Sequence, residues 1–352
     1  METRRKSKQV LVGNVPIGGD SPITIQSMTN TDPHSREHTL AQINELAQVG
    51  CELIRLAVPD QEAANNLKTF VAASPVPLVA DIHFDYQLAL IALEAGVAKL
   101  RINPGNIGGK DKVKILAREA KARRIPIRIG VNAGSLEKEL LEREGPTAAA
   151  MVESALRHVR LLEDEDFTEI VISLKASNVP LTIEAYRVLA TQVPYPLHIG
   201  ITEAGTWFTG TIRSSVGVGI LLASGIGDTL RISLTGDPVR EVRVGREILQ
   251  SLGLRQFGAS VISCPTCGRC RIDLAKLAEA VEQLVLPISL PLKIAVMGCA
   301  VNGPGEAREA DLGVAGGQGE GLIFRKGLVV RKVPEAEILT ALQEELQKLT
   351  HI

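Results

Sequence analysis

Cys264, Cys267 and Cys270 stand at two-residue gaps in the run SCPTCGRC, and Cys299 follows in MGCAVNGPGEA. Four of the chain's five cysteines therefore fall in its last quarter. Thiolates at this spacing can converge on one metal centre, because a tight turn brings the sulfurs to one side. Three arrangements satisfy the pattern: a structural zinc on four thiolates, a [4Fe–4S] cluster on four thiolates, or a [4Fe–4S] cluster on three thiolates with a weaker ligand on the fourth iron. CxxCxxC is not the CxxxCxxC spacing of radical chemistry on S-adenosylmethionine. Pro265 suits the first turn of a helix, which would put Cys267 near a helix start whose dipole favours thiolate. Cys270 lies a turn further on. Glu306 follows the tight turn Asn302-Gly303-Pro304-Gly305, which can fold back toward Cys299. Cys51 reads as a small buried hydrophobe.

A second set of reactive types is spread along the first 235 residues. It comprises Arg55; Asp81 and His83; Arg101 and Asn103, then Pro104-Gly105-Asn106; Arg128 and Asn132; Ser173 and Lys175; Glu203; and Arg231 and Ser233. Each stands at or just past the end of a short apolar run. The pairs Asp81/His83, Arg101/Asn103, Ser173/Lys175 and Arg231/Ser233 are two apart, so each pair shares one face of a strand. Four arginines and a lysine against two carboxylates call for an anionic ligand, and Arg forks match phosphate oxygens. A phosphorylated small molecule is the economical inference. Any single Arg reads equally well as a structural ion pair, but five cations on five strands do not. Glu203 can serve as general acid or base, or merely balance charge. His198 faces the side opposite Glu203 and reads as structurally satisfied, while His34 and His38 read as surface residues.

The elements that must position these groups follow a βα rhythm. Eight Val/Ile/Leu-rich segments read as strands: 23–28, 52–58, 77–83, 98–103, 126–131, 169–175, 196–202 and 228–234. Helices read between them, as at 38–50, 87–96, 112–123 and 181–192, the first stopping at Gly50. Eight βα units in about 250 residues match an α/β fold of the (β/α)8 TIM-barrel kind, whose active sites lie at the C-terminal strand ends. A doubly wound sheet is the alternative, but no GxGxxG follows the first strand. After residue 252 the rhythm changes to a small α+β domain. A helix reads over roughly 271–285, a strand in PLKIAVMGC, a hairpin turning at Lys326-Gly327, and a closing helix in PEAEILTALQEELQKL. The expected division is 1–252 for a substrate-binding barrel and 253–352 for a metal-cluster domain.

The 352 residues carry a net charge of −1, 45% hydrophobics and only 3% aromatics. Aliphatic composition suits buried parallel strands, and near-neutral charge gives no drive toward nucleic acid or anionic membranes. The basic start has no long apolar stretch behind it, and no run is long enough to span a bilayer. A cytoplasmic enzyme with reduced, metal-binding thiols is expected.

IQSMTNTD, ADIHFDY, LRINPGNIG, IPIRIGVNAGSLE, ITEAG, GIGDTLRISL, CPTC and GCAVNGPGEA, in that order, closely resemble the 4-hydroxy-3-methylbut-2-enyl diphosphate synthase family, over nearly the whole chain. The likeness is to the shorter bacterial form, without the additional middle domain of plant members. It implies a TIM barrel followed by an iron–sulfur domain, and a [4Fe–4S] cluster on Cys264, Cys267, Cys299 and Glu306. It implies Glu203 as the acid/base residue. It assigns the diphosphate to Arg55, Arg101, Arg128, Lys175 and Arg231, with Asn103, Asn132, His83 and Ser233; Asp81 joins this substrate set from its place at a strand end. The implied reaction is reductive ring opening and dehydration of 2-C-methyl-D-erythritol 2,4-cyclodiphosphate, in isoprenoid synthesis. No nicotinamide or flavin motif is present, so electrons are expected from a ferredoxin or flavodoxin. The family's dimer is head to tail, one subunit's cluster domain capping the other's barrel. Cys270 departs from the family pattern and reads as a bystander, since a fourth thiolate would close the iron that the chemistry needs open. The rival readings are a non-redox barrel transferase for a phosphorylated or pterin substrate with a structural zinc domain, and a non-enzymatic zinc module that docks a partner.

Overall fold

Parallel strands buried on both faces must be continuous aliphatic runs, and those runs form the strands of the computed structural model. It describes residues 1–103, 107–299 and 307–350. Glu306, residues 104–106 and the turn 302–305 lie outside the described residues. The chain divides into two compact units, Met1–Arg255 and Gln256–Ile352.

The first unit opens with an antiparallel hairpin of β1 (Val10–Val12) and β2 (Val15–Ile17). Its Val12 and Ile17 pack on Leu53 and close the N-terminal end of the barrel. The barrel strands are β3 (Thr24–Met28), β4 (Leu53–Val58), β5 (Leu78–Ile82), β6 (Lys99–Ile102), β7 (Ile127–Asn132), β8 (Ile170–Lys175), β9 (His198–Ile199) and β10 (Thr229–Leu230). They pair in parallel in the order β8-β7-β6-β5-β4-β3-β10-β9. A parallel bridge between Ile172 and Leu197 joins the two ends of that order, so the sheet closes on itself. Among the described residues nine α-helices surround it: α1 (Arg36–Gln48), α2 (Gln61–Ala73), α3 (Tyr86–Glu94), α4 (Lys110–Arg123), α5 (Lys138–Glu144), α6 (Ala148–Glu163), α7 (Val179–Ala190), α8 (Trp207–Ala223) and α9 (Pro238–Ser251). Asp60, Asp85, Thr147, Asn178 and Asp237 cap five of them through their side chains, supplying acceptors that first-turn N–H groups otherwise lack.

The last two strands are far shorter than the expected 196–202 and 228–234. A side chain takes over part of their ladder. The Asp228 carboxylate accepts the Leu197 N–H at 2.8 Å, and it also holds Arg4 at 2.6 Å and Ser7 at 2.8 Å.

The second unit is a five-stranded mixed sheet of β11 (Ser260–Ser263), β12 (Lys293–Met297), β13 (Leu312–Gly316), β14 (Glu320–Arg325) and β15 (Leu328–Pro334), in that order. Helices α10 (Leu274–Val285) and α11 (Ile338–Thr350) cover one face through Leu274, Val281, Ile338, Leu342 and Leu346. The hairpin turns at Lys326-Gly327, where both residues have positive φ, +47° and +79°, the primed geometry that matches strand twist. No described helix is long and apolar enough to cross a membrane.

Candidate active site

In-register residues of parallel neighbours point to the same face, so the pairing pattern decides what the barrel interior contains. One row runs Ala57, Asp81, Arg101, Arg128, Val171; another runs Met28, Arg55, Val79, Lys99. Asn132 is in register with Lys175, one further step toward the strand ends. Five of the expected residues, Asp81, Arg101, Asn103, Arg128 and Lys175, are buried there, and Arg55 is nearly so.

Asp81 holds the cations together. Its carboxylate accepts from Arg101 Nη1 at 3.0 Å and lies 3.6 Å from Arg55 Nε, with His83 Nε2 at 3.4 Å. Burial by itself would raise this carboxyl, but Arg55, His83 and Arg101 outweigh that and hold it well below the usual carboxylate range. Arg55 also reaches the Met28 sulfur at 2.9 Å. Burial brings its guanidinium down to about 10, against the pull of Asp81, so it stays charged at neutral pH.

Arg128 has no such partner. It is 1% exposed, and its Nε and Nη1 make no hydrogen bond among the described residues. Burial first, then Arg55 and Arg101, push it well below its ordinary value. A guanidinium keeps its proton in proteins, so the charge stays, and the attraction of Asp81 offsets its desolvation only in part. Lys175 is likewise pushed down, by burial and then by Arg128, Arg231, Arg55 and Arg101; its Nζ lies 3.5 Å from His198 Nε2. Two glycines leave room for these heads. A Cβ on Gly130 would stand 2.5 Å from Arg101 Nε, and one on Gly200 would stand 2.9 Å from Lys175 Nζ. Glycine inside a strand marks such close approaches.

Other expected residues lie further out. Arg231 is half-buried and paired with Glu241 at 3.3 Å, and Ser233 follows it, also half-buried. His83 is exposed and meets Arg101 Nη1 at 2.7 Å. Asn103 reaches Ser135 Oγ at 3.5 Å. Glu203 was expected among the cations, yet it is exposed and forms no ion pair or hydrogen bond among the described residues. Its φ of +51° is a left-handed conformation uncommon outside glycine, of the kind that clusters at functional sites.

Three residues escaped the sequence reading. Glu241 projects from α9, is 3% exposed, and also accepts from Ser27 Oγ at 2.8 Å and Leu234 N–H at 3.0 Å. Lys99 is an inward residue of β6, fully buried. His198, expected on the other face, points inward instead. It is fully buried, and burial, then Arg128, Lys175 and Lys99, lower its pKa well below the ordinary value. Period-two alternation could have found Lys99, because it stands two before Arg101. A buried carboxylate arriving from a helix has no local signal. With Glu241 committed to Arg231, and Asp81 shared by Arg55 and Arg101, the described interior holds more cation than carboxylate.

Removal of the Asp81 charge tests this arrangement. Asp81→Asn is expected to cost about 3 kcal/mol of unfolding free energy, because it leaves two buried guanidinium groups without their anion. Denaturant titration of the pure protein measures it; an unchanged midpoint would show Asp81 to be dispensable. The folded carboxyl titrates below its unfolded value, so this contribution is complete above about pH 4 and is lost as pH falls toward the folded value.

In the second unit Cys264 follows β11 and Cys299 lies just beyond β12, its parallel neighbour. Cys264 Sγ accepts the Gly298 N–H at 3.3 Å. Cys267 is exposed. It was expected at a helix start, but residues 264–267 are irregular and 267–270 form a turn closed by Cys270 N–H to Cys267 C=O at 2.9 Å. The helix begins only at Leu274, where the Asp273 side chain caps it. The Cys270 thiol reaches the Ile272 carbonyl at 3.3 Å and, like Cys264, packs on the unit's core. No three described His, Cys, Asp or Glu side chains form a metal-ligating group. Cys51 is buried, and burial pushes its thiol up to about 12, so it is inert.

A cleft of about 980 Å³ is lined by Leu11, Gly13, Ala98, Ile125, Phe167 and Thr168. It lies at the N-terminal ends of the strands, away from this chemistry.

A closed parallel βα barrel with a cation-rich interior, followed by a cysteine-bearing α+β unit, defines the class. The model of the GcpE TIM-barrel domain matches residues 7–246, and that of the GcpE protein C-terminal domain matches residues 260–348. The chain belongs to the GcpE family. It is 62% identical over 347 residues, covering 98% of both chains, to a protein of Geobacter sulfurreducens named 4-hydroxy-3-methylbut-2-en-1-yl diphosphate synthase (flavodoxin). A protein of the same name from Caldanaerobacter subterraneus subsp. tengcongensis is 57% identical, over 99% of both. Among solved structures, N-acetylneuraminic acid (sialic acid) synthetase from Leptospira borgpetersenii in complex with citrate matches 71% of this chain and 91% of its own. That match has a TM-score of 0.52 at 14% identity, and it shows the fold alone.

Proposed function

We propose that this chain converts 2-C-methyl-D-erythritol 2,4-cyclodiphosphate to 4-hydroxy-3-methylbut-2-enyl diphosphate, a step of isoprenoid synthesis by the methylerythritol phosphate route. The barrel is the substrate-binding unit and the second unit is the seat of a [4Fe–4S] cluster. The observation that carries the reading is Arg128, a fully buried guanidinium with unpartnered N–H groups in an interior where cations outnumber carboxylates. Such a group is costly unless an anion meets it, and a cyclic diphosphate supplies two phosphoryl groups.

Arg128, Arg101, Arg55 and Lys175 grip the diphosphate, with Arg231, Asn103, Asn132, His83 and Ser233 around it. The ring C–O bond breaks, a hydroxyl leaves as water, and two electrons and two protons enter. Charge that moves onto the released phosphate oxygen meets groups already in place, so little reorganisation is needed. Glu203, exposed and without an ion pair among the described residues, protonates the departing hydroxyl.

Cys264, Cys267 and Cys299 suit a cluster chemically: thiolate sulfur is the usual ligand of such clusters, and Cys264 receives a backbone N–H. Glu306 is the fourth ligand. When bound, the cluster supplies electrons one at a time, received from a flavodoxin, the donor carried in the relatives' names. A homodimer working in the cytoplasm completes the reading.

Metal analysis of anaerobically purified protein tests it. Four iron and four sulfide per chain are expected, together with turnover of the cyclic diphosphate by reduced flavodoxin. Removal of the iron by a chelator should abolish that turnover. One zinc without iron would instead point to a transferase with a structural zinc domain. Full turnover in Glu306→Cys would remove the carboxylate from the ligand set.

A further inference from the structure

Lys99 is the inward residue one step below Arg101 on β6, and its register runs through Val79 to Arg55. It is fully buried, and its Nζ has no hydrogen-bond partner among the described residues. The charges that act on it most, those of Arg128 and Arg55, are both positive. An ammonium in that place gives up its water and gains no anion, whereas an amine can shed a proton where a guanidinium cannot. Inward residues of β3 are also unsatisfied: both amide atoms of Gln26 and the Thr24 hydroxyl lack partners among the described residues. A position that served packing alone would hold Met or Leu without the desolvation cost. The other charged or titratable groups described in and around this interior include Asp81, Arg101, Lys175, His198 and the Arg231–Glu241 pair, so any assignment must separate Lys99 from Lys175 and His198.

We propose that Lys99 is the proton acceptor at the base of the anion site: its amine is neutral until a phosphorylated ligand loads beside Arg128 and Arg55, and it then takes up a proton from solvent. This rests on the barrel being the phosphate site. The ligand's negative charge favours the ammonium, and by linkage the proton favours the ligand to the same degree. Affinity is then highest below the pH at which unliganded Lys99 gives up its proton. It falls with a slope of about one log unit per pH unit up to the value in the complex, and levels off above that.

The experiment is calorimetric titration of the cyclic diphosphate into anaerobic holoenzyme without reductant, in two buffers of different ionisation enthalpy and at several pH values. Wild type is expected to take up protons on binding. Lys99→Met should take up about one proton fewer per ligand and lose about one unit of pH slope. Lys99→Arg, which cannot discharge, should lose the same proton and guards against misfolding of the first variant. Equal uptake in wild type and both variants would assign the proton to Lys175 or His198 and overturn the proposal, as would wild-type binding without uptake. Wild type that binds no cyclic diphosphate would sink the functional reading itself, and this inference with it.

Discussion

Arg128→Met is expected to weaken binding of the cyclic diphosphate by about 1000-fold, roughly 4 kcal/mol, while raising the melting temperature of the unliganded protein. The two effects have one cause. Arg128 is 1% exposed, carries a charge it cannot lose, and has unpartnered Nε and Nη1 groups. Exchanging such a cation for an apolar side chain of similar volume removes a desolvation cost of about 1–4 kcal/mol, which shifts the transition upward by several degrees. The same exchange removes the donor fork that meets the phosphate. Calorimetry and thermal melts of one preparation test both signs. If Arg128→Met binds normally, the guanidinium faces no ligand; if it melts lower, some unseen partner was satisfying it. Asp81→Asn is the contrasting case, because Asp81 neutralises Arg55 and Arg101 and its loss destabilises.

Cys264→Ser is expected to leave the anaerobic protein with little iron and to lower turnover more than ~100-fold, since even groups behind the metal ligands typically cost 10- to 100-fold. Cys270→Ser should keep its iron, its sulfide and most of its turnover. The difference follows from the hydrogen bonds the two sulfurs make. Cys264 Sγ accepts a backbone N–H from Gly298, as a thiolate does, whereas Cys270 Sγ–H donates to the Ile272 carbonyl. A Cβ on Gly298 would stand 2.6 Å from Cys270 Sγ, so the thiol is wedged against backbone. Iron and sulfide assays with visible spectra of both variants decide the matter. Iron lost from Cys270→Ser would make Cys270 the fourth ligand and displace Glu306 from that role.

Much of the fold was legible because its signals are local. A strand buried on both faces must be an aliphatic run, and polar residues two apart within it must share a face, so Asp81, Arg101, Arg128 and Lys175 could be placed inward before any coordinates existed. Lys326-Gly327 marked its hairpin for the same reason. The misplacements have nonlocal causes. His198 turned inward where pairing shrinks to two residues and the Asp228 side chain serves the ladder. Cys267 left its expected helix start because Asp273 supplies the cap six residues later.

The residue string by itself determined which groups stand at the strand ends and which sulfurs sit at metal-ligating gaps, because both follow from periods of two and three along one segment. Tertiary structure alone decided which of those charges are already matched. Glu241 reaches Arg231 from a helix, Asp81 is shared between two arginines, and Arg128 forms no ion pair among the described residues. Coulomb partners are set by distance through space across a closed barrel, and spacing along the chain carries no measure of it.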